Sequence, residues 1–185
     1  MSKINVLVPL AQGCEELEAV TIIDLLRRAG IKVTTAGLDD KAVKASRGVV
    51  LIPDTTLDAV MDTAFDMVVL PGGLPGADFL NADPRIHQLL QAAIANHKTV
   101  AAICAAPKVL ADAGLLQHKK ATSYPGVLNK MGLSDTQYID VPVVEDGQVI
   151  TSRGPGTAMD FALTLIERLT DKITRDKVEA GLVRP

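Results

Sequence analysis

The chain has 185 residues, 48% of them hydrophobic, which suits one domain spanning 1–185 with a sizeable core. A formal net charge of −3 offers no basic surface for nucleic acid, and the apolar run Ile4 to Leu10 is too short for a membrane span and carries no cleavage-site pattern, so a cytoplasmic protein without a nucleic-acid or membrane partner is expected. Tryptophan is absent and aromatics make up 3%, so aliphatic side chains and alanine must fill the core, as they do in layered α/β sheets.

Strand-length runs rich in β-branched residues occur at Ile4 to Leu10, Lys32 to Gly37, Phe65 to Leu70, Thr99 to Ile103 and Val149 to Ser152. Helical patterns lie between them. In the first, Ala19, Ile22, Ile23 and Leu26 share one apolar face, Thr21, Asp24 and Arg28 mark a polar one, and Gly30 closes the helix. A second helix is predicted from Pro84, a favourable first-turn residue, to Asn96. A third is predicted from Cys104 to Ala113, ending at Gly114, and a fourth from Gly156 to Thr170. Val141 to Glu145 and Val149 to Ser152 flank Asp146-Gly147, a hairpin signal. Strands alternating with helices imply right-handed crossovers and a mostly parallel sheet covered on both faces.

Parallel sheets carry functional groups beyond the carboxyl ends of their strands. Three segments should meet there: Ala11 to Glu18, Pro71-Gly72-Gly73, and Cys104-Ala105. Cys104 ends a strand where a helix is predicted to begin, the setting of a nucleophile elbow, and a helix N-terminus would depress the thiol pKa. The same position also suits a buried structural cysteine. Gly72 and Gly73 form either a plain turn or, with Ala105, a set of amides facing an oxyanion. Glu18 is either a solvated acid at the start of a helix or a protonated carboxyl that hydrogen-bonds a Cys104 thiolate, the shared proton belonging to the pair. Glu15 and Glu16 read as solvated acids. His87 and His97 read as surface residues and His118 as a loop residue, which leaves Cys104 and Glu18 as the better constellation. Cys14 and Cys104 open toward the same rim; both are expected as free thiols, with Cys104 oxidising independently.

Taken together, Ala11 to Val20, Arg27 to Thr34, Leu70 to Gly73, Ala101 to Ala105 and Thr151 to Thr157 make the chain resemble the ThiJ/PfpI family along nearly its whole length, most closely the Parkinson-linked protein deglycase branch. The resemblance implies a flavodoxin-like three-layer α/β sandwich and a homodimer. It implies that Cys104 is the reactive cysteine, Glu18 its carboxyl partner, and Gly73 and Ala105 the oxyanion-hole amides, with Gly72, Tyr124 and Pro155 lining the substrate. It further implies a glyoxalase that needs no cofactor and no metal, turning small α-oxoaldehydes such as methylglyoxal into 2-hydroxy acids, with deglycase activity alongside. Tyr124 stands where relatives often carry histidine, and Cys14 where they carry alanine. Ala105 stands where protease-like members carry histidine, which argues against a peptidase. A cysteine-based oxidative-stress sensor or redox-regulated chaperone is the alternative, since both uses need an accessible, acidic thiol.

Overall fold

The computed structural model describes residues 4–184. In chain order the elements are β1 (Asn5–Leu10), α1 (Glu16–Arg28), β2 (Lys32–Gly37), β3 (Val43–Lys44), β4 (Val50–Leu51), β5 (Thr55–Thr56), β6 (Met67–Leu70), α2 (Gly76–Ala82), α3 (Pro84–Ala95), β7 (Thr99–Ile103), α4 (Pro107–Asp112), β8 (Lys119–Ala121), β9 (Thr136–Tyr138), β10 (Val143–Asp146), β11 (Val149–Ser152), α5 (Ala158–Leu169) and α6 (Lys172–Gly181). Seven strands form one sheet in the order β10-β11-β7-β6-β1-β2-β5. All its pairings are parallel except β10 with β11.

Side chains alternate across the sheet, and both faces are buried. Along β1, Val6, Val8 and Leu10 join the core beneath α1, α5 and α6, while Leu7 joins the one beneath α2, α3 and α4. The result is the three-layer sandwich with a mostly parallel central sheet. Helix α3 starts as its sequence predicts, with Pro84 in the first turn and the Asp83 carboxylate accepting the Arg85 N–H at 3.0 Å.

Some boundaries differ from expectation, for identifiable reasons. The helix after β7 begins at Pro107 and is six residues long, because Cys104 takes φ +65° and residues 104–106 form a turn. The predicted fourth helix opens with a 3-10 turn, Pro155–Thr157, before α5. In the β10–β11 hairpin, Asp146 pairs with Val149, so the loop is Gly147-Gln148, with Gly147 at φ +64°. On α1, Leu25 is buried in the core, whereas Leu17 is exposed. Two helices were not expected. Helix α2 begins on a glycine and is held by the buried Ala77 and Leu80, and α6 buries only Val178 and is capped by the Asp171 side chain on the Thr174 N–H. Among the described residues no helix is long and apolar enough to cross a membrane.

Phe161, on α5, is fully buried and among the largest side chains in the core. Phe161→Ala should destabilise the fold by about 3–5 kcal/mol, from lost burial and an unfilled cavity. Urea unfolding followed by circular dichroism checks this: the midpoint falls while the slope stays constant.

Candidate active site

The carboxyl ends of β1, β6, β7 and β11 converge on Cys104. Its left-handed backbone, uncommon for a residue with a Cβ, is fixed from both sides. The Cys104 N–H donates to the Ser152 carbonyl at the end of β11 (3.0 Å), and its own carbonyl accepts the Tyr124 N–H (2.9 Å). The side chain is held in place and nearly covered, with 9% of the residue exposed.

Glu18 enters from the first turn of α1 and is fully buried. Oε2 accepts the Gly72 N–H at 2.9 Å, and Oε1 is buried with no partner in hydrogen-bonding geometry. Carboxyl and thiol nonetheless lie close enough to shift each other's titration. Gly72 is required at this junction. A Cβ there would lie 2.6 Å from the Cys104 Cβ and 2.7 Å from Glu18 Oε2. The Gly72 N–H, one of the amides expected to face an oxyanion, is instead engaged by Glu18, which leaves Gly73 and Ala105 as the amides directed at the sulfur.

Beneath Gly73 the chain is packed backbone on backbone. Gly73 (φ +88°) sits against Gly13, Cys14 and Glu15, and a Cβ on Gly76 would come within 2.6 Å of the Cys14 nitrogen. The Glu15 N–H closes the layer by donating to the Gly72 carbonyl at 2.9 Å. Gly13 and Gly76 were not singled out from the sequence. Their signal was the pairing of two glycine-bearing turns, each with room only for hydrogen at the contact.

Burial pushes the Glu18 carboxyl up to about 7, against the lowering effect of its contacts with Cys104 and Gly72. Burial and then the charge of Glu18 push the Cys104 thiol up to about 12, while the Gly73 and Ala105 amides pull it down. The expected depression by a helix N-terminus is therefore corrected. Helix α4 starts three residues too late, and burial beside a carboxylate outweighs its amides. The two groups titrate as a pair, and the charge that raises the thiol disappears when Glu18 holds the proton.

Glu16 is also corrected, because it is buried rather than solvated. Burial alone would raise its carboxyl. Its own amide, the Arg47 amide, the Ser46 hydroxyl and the Val49 amide instead hold it below the usual carboxylate range. It thereby anchors residues 46–49 to the start of α1, with Glu15 also accepting from Ser46 Oγ at 2.9 Å. Tyr124 is half exposed, and its ring lies over Gly154, where a Cβ would approach Cδ2 at 3.2 Å. Pro155 opens the turn after β11, on the strand that holds the Cys104 N–H. His87 is partly buried, with Nε2 2.9 Å from the Asn81 carbonyl, and His97 and His118 are exposed. Cys14 and Cys104 are both free thiols. Among the described residues no group of three or more His, Cys, Asp or Glu side chains is arranged to hold a metal ion.

The sequence profile of the DJ-1/PfpI family matches residues 4–168. The chain belongs to the DJ-1/PfpI family. Within it, the chain is 47% identical to protein dj-1beta of Drosophila melanogaster over 99% of its own length and 98% of the relative's. The crystal structure of Drosophila DJ-1beta superposes with a TM-score of 0.95 at 45% identity, covering 99% of each chain, which places the fold in the flavodoxin-like class. A Caenorhabditis elegans protein named glutathione-independent glyoxalase DJR-1.2 is 37% identical over 85% of this chain and 84% of its own.

The raised Glu18 carboxyl makes the stability of this DJ-1/PfpI chain depend on pH. Between about 4.5 and about 7 the unfolded chain releases the Glu18 proton and the folded chain retains it, so stability falls as pH rises through that window. The loss attributable to Glu18 should be about 3 kcal/mol. Glu18→Gln should remove it, so that urea unfolding of wild type and variant at pH 5 and pH 8 shows the variant gaining relative stability at the higher pH.

Proposed function

We propose that the protein is a glyoxalase requiring no cofactor, acting on small α-oxoaldehydes such as methylglyoxal through Cys104 and Glu18. The observation that carries this reading is the shared titration of a thiol, held on a left-handed backbone at a strand end, with a fully buried carboxyl raised to about 7. Nucleophile and proton carrier are then one unit. The glyoxalase name of the C. elegans relative supports the same reading.

As the pair gives up one proton, the form with a Cys104 thiolate and protonated Glu18 attacks the aldehyde carbon. The hemithioacetal oxygen carries the negative charge, and the Gly73 and Ala105 amides are the donors that stabilise it. Glu18 passes its proton to that oxygen and, now ionised, takes the proton from the former aldehyde carbon and returns it to the adjacent carbon through an enediol. A thioester of the 2-hydroxy acid remains. Water cleaves it, releasing the acid and the thiol, with no net oxidation. Gly72 keeps the carboxyl in place during the proton transfers, and Tyr124 and Pro155 flank the opening above the thiol. The cytoplasm is the compartment that fits two free cysteines.

Steady-state turnover of methylglyoxal tests the assignment. Cys104→Ser should abolish it, and Glu18→Gln should lower kcat by about 10²- to 10⁴-fold while leaving a thiol that still alkylates. Turnover should rise with pH through about 7, as the pair loses its first proton. Full turnover by Cys104→Ser would refute the mechanism and leave oxidant sensing as the use of this thiol.

The working unit we propose is a homodimer. Leu17 and Val20 on α1 and Val50 and Ile52 at β4 are 46–84% exposed, and Val20 and Ile52 line one groove. A twin packed on this surface would cover it by two-fold symmetry. Light scattering should give twice the 19.5 kDa protomer mass at micromolar protein, and Ile52→Asp should shift the mass toward the monomer.

A further inference from the structure

A cavity of about 580 Å³ opens at the carboxyl ends of β1 and β2, between the Ala11-Gln12 turn, Leu38-Asp39 and the α2–α3 junction; neither Cys104 nor Glu18 lines it. Its size is that of an ordinary small-molecule site. The walls are largely apolar, formed by Leu10, Val43, Phe79 and Ala82, and Phe79 leaves nearly half its surface exposed.

The polar rim favours one kind of ligand. Arg85 is its only cation, and four of the five guanidinium N–H groups are already engaged: by Asp83 through Nε and Nη2, by Asp58 through Nη1 and by the Leu38 carbonyl through Nη2. The Gln12 side chain is held at both ends, donating to the Ala42 carbonyl and accepting the Lys44 N–H, each at 2.9 Å. What remains is acceptor capacity. Asp39 accepts its neighbour Lys41's N–H through Oδ1, while Oδ2 meets only the Lys41 ammonium at 3.7 Å. Two carboxylates and one committed guanidinium leave the lining with excess negative charge. An anion would find one spare donor beside the Asp39, Asp58 and Asp83 carboxylates; a cation would find Asp39, whose Oδ2 it would take over from the Lys41 ammonium, and the apolar side chain of Phe79.

We propose that this cavity is a second binding site, taking a compact hydrophobic molecule that carries a primary ammonium group. The apolar body fills the space between Val43 and Ala82, and the ammonium reaches Asp39. The site is physically separate from the thiol. Residues 13–15 pack backbone on backbone against residues 72–76 beside the thiol, and none of them lines the cavity.

The test uses the full chain with benzylamine as probe, and benzoate and benzyl alcohol as the anionic and neutral counterparts, followed by amide chemical shifts. Benzylamine should bind saturably, shifting the amides of Leu10, Gln12, Val43 and Phe79, with the two counterparts weaker. Asp39→Asn should weaken it about tenfold. Ala82→Trp, a change at an exposed helix end, should block it, and Cys104→Ser should bind as wild type does. Absence of saturable binding, benzoate binding as well as benzylamine, or shifts centred on Gly73 and Ala105 would each overturn the proposal.

Discussion

The contact on which the site depends is the approach of Gly72 to Glu18 and Cys104, where hydrogen is the only side chain that fits. It brings β6 close enough for one backbone amide to hold a buried carboxyl beside a buried thiol. Any bulk would push β6 from β7 or Glu18 from the sulfur. The wider arrangement serves this one distance: parallel pairing sets β6 beside β7, with Leu70 opposite Ala102, and the layer beneath Gly73 fixes the height of the turn.

Two carboxylates on the same end of α1 meet opposite fates. Glu16 is surrounded by N–H and hydroxyl donors and is held as an anion, whereas Glu18 has a single backbone donor and an unpartnered oxygen, so burial dominates. The number of donors decides which one ionises easily. Glu16 thereby does structural work, holding residues 46–49 against the helix, and Glu18 is left poised to exchange a proton. Only Leu17 separates the anchor from a carboxyl that burial raises to about 7.

Much of this was legible in the sequence. β-branched runs marked β1, β2, β6, β7 and β11, because strands buried on both faces must be continuously apolar, and Pro84 with Gly30 marked helix ends. Cys104 stood out at a strand end, and Glu18 on a helix whose start faces the same rim. The turn at residues 104–106 was hidden, because Ala105, Ala106 and Pro107 also suit a helix start, and only the partners on Ser152 and Tyr124 fix the left-handed bend. Glu16's partners lie about thirty residues away along the chain, and no local pattern reports such a contact. Helices α2 and α6 were missed because each owes its position to packing or a cap rather than to a long apolar stripe.

Cys14 has no exposed surface, is pressed against the glycine layer, and has its thiol pushed up to about 11 by burial and by Glu16. A reagent in solution can therefore reach its sulfur only when the two turns part. The protein thus carries an internal clock of its own opening. The rate at which a second thiol becomes countable measures how often the floor of the site comes apart, in a molecule whose other cysteine stays at its mouth.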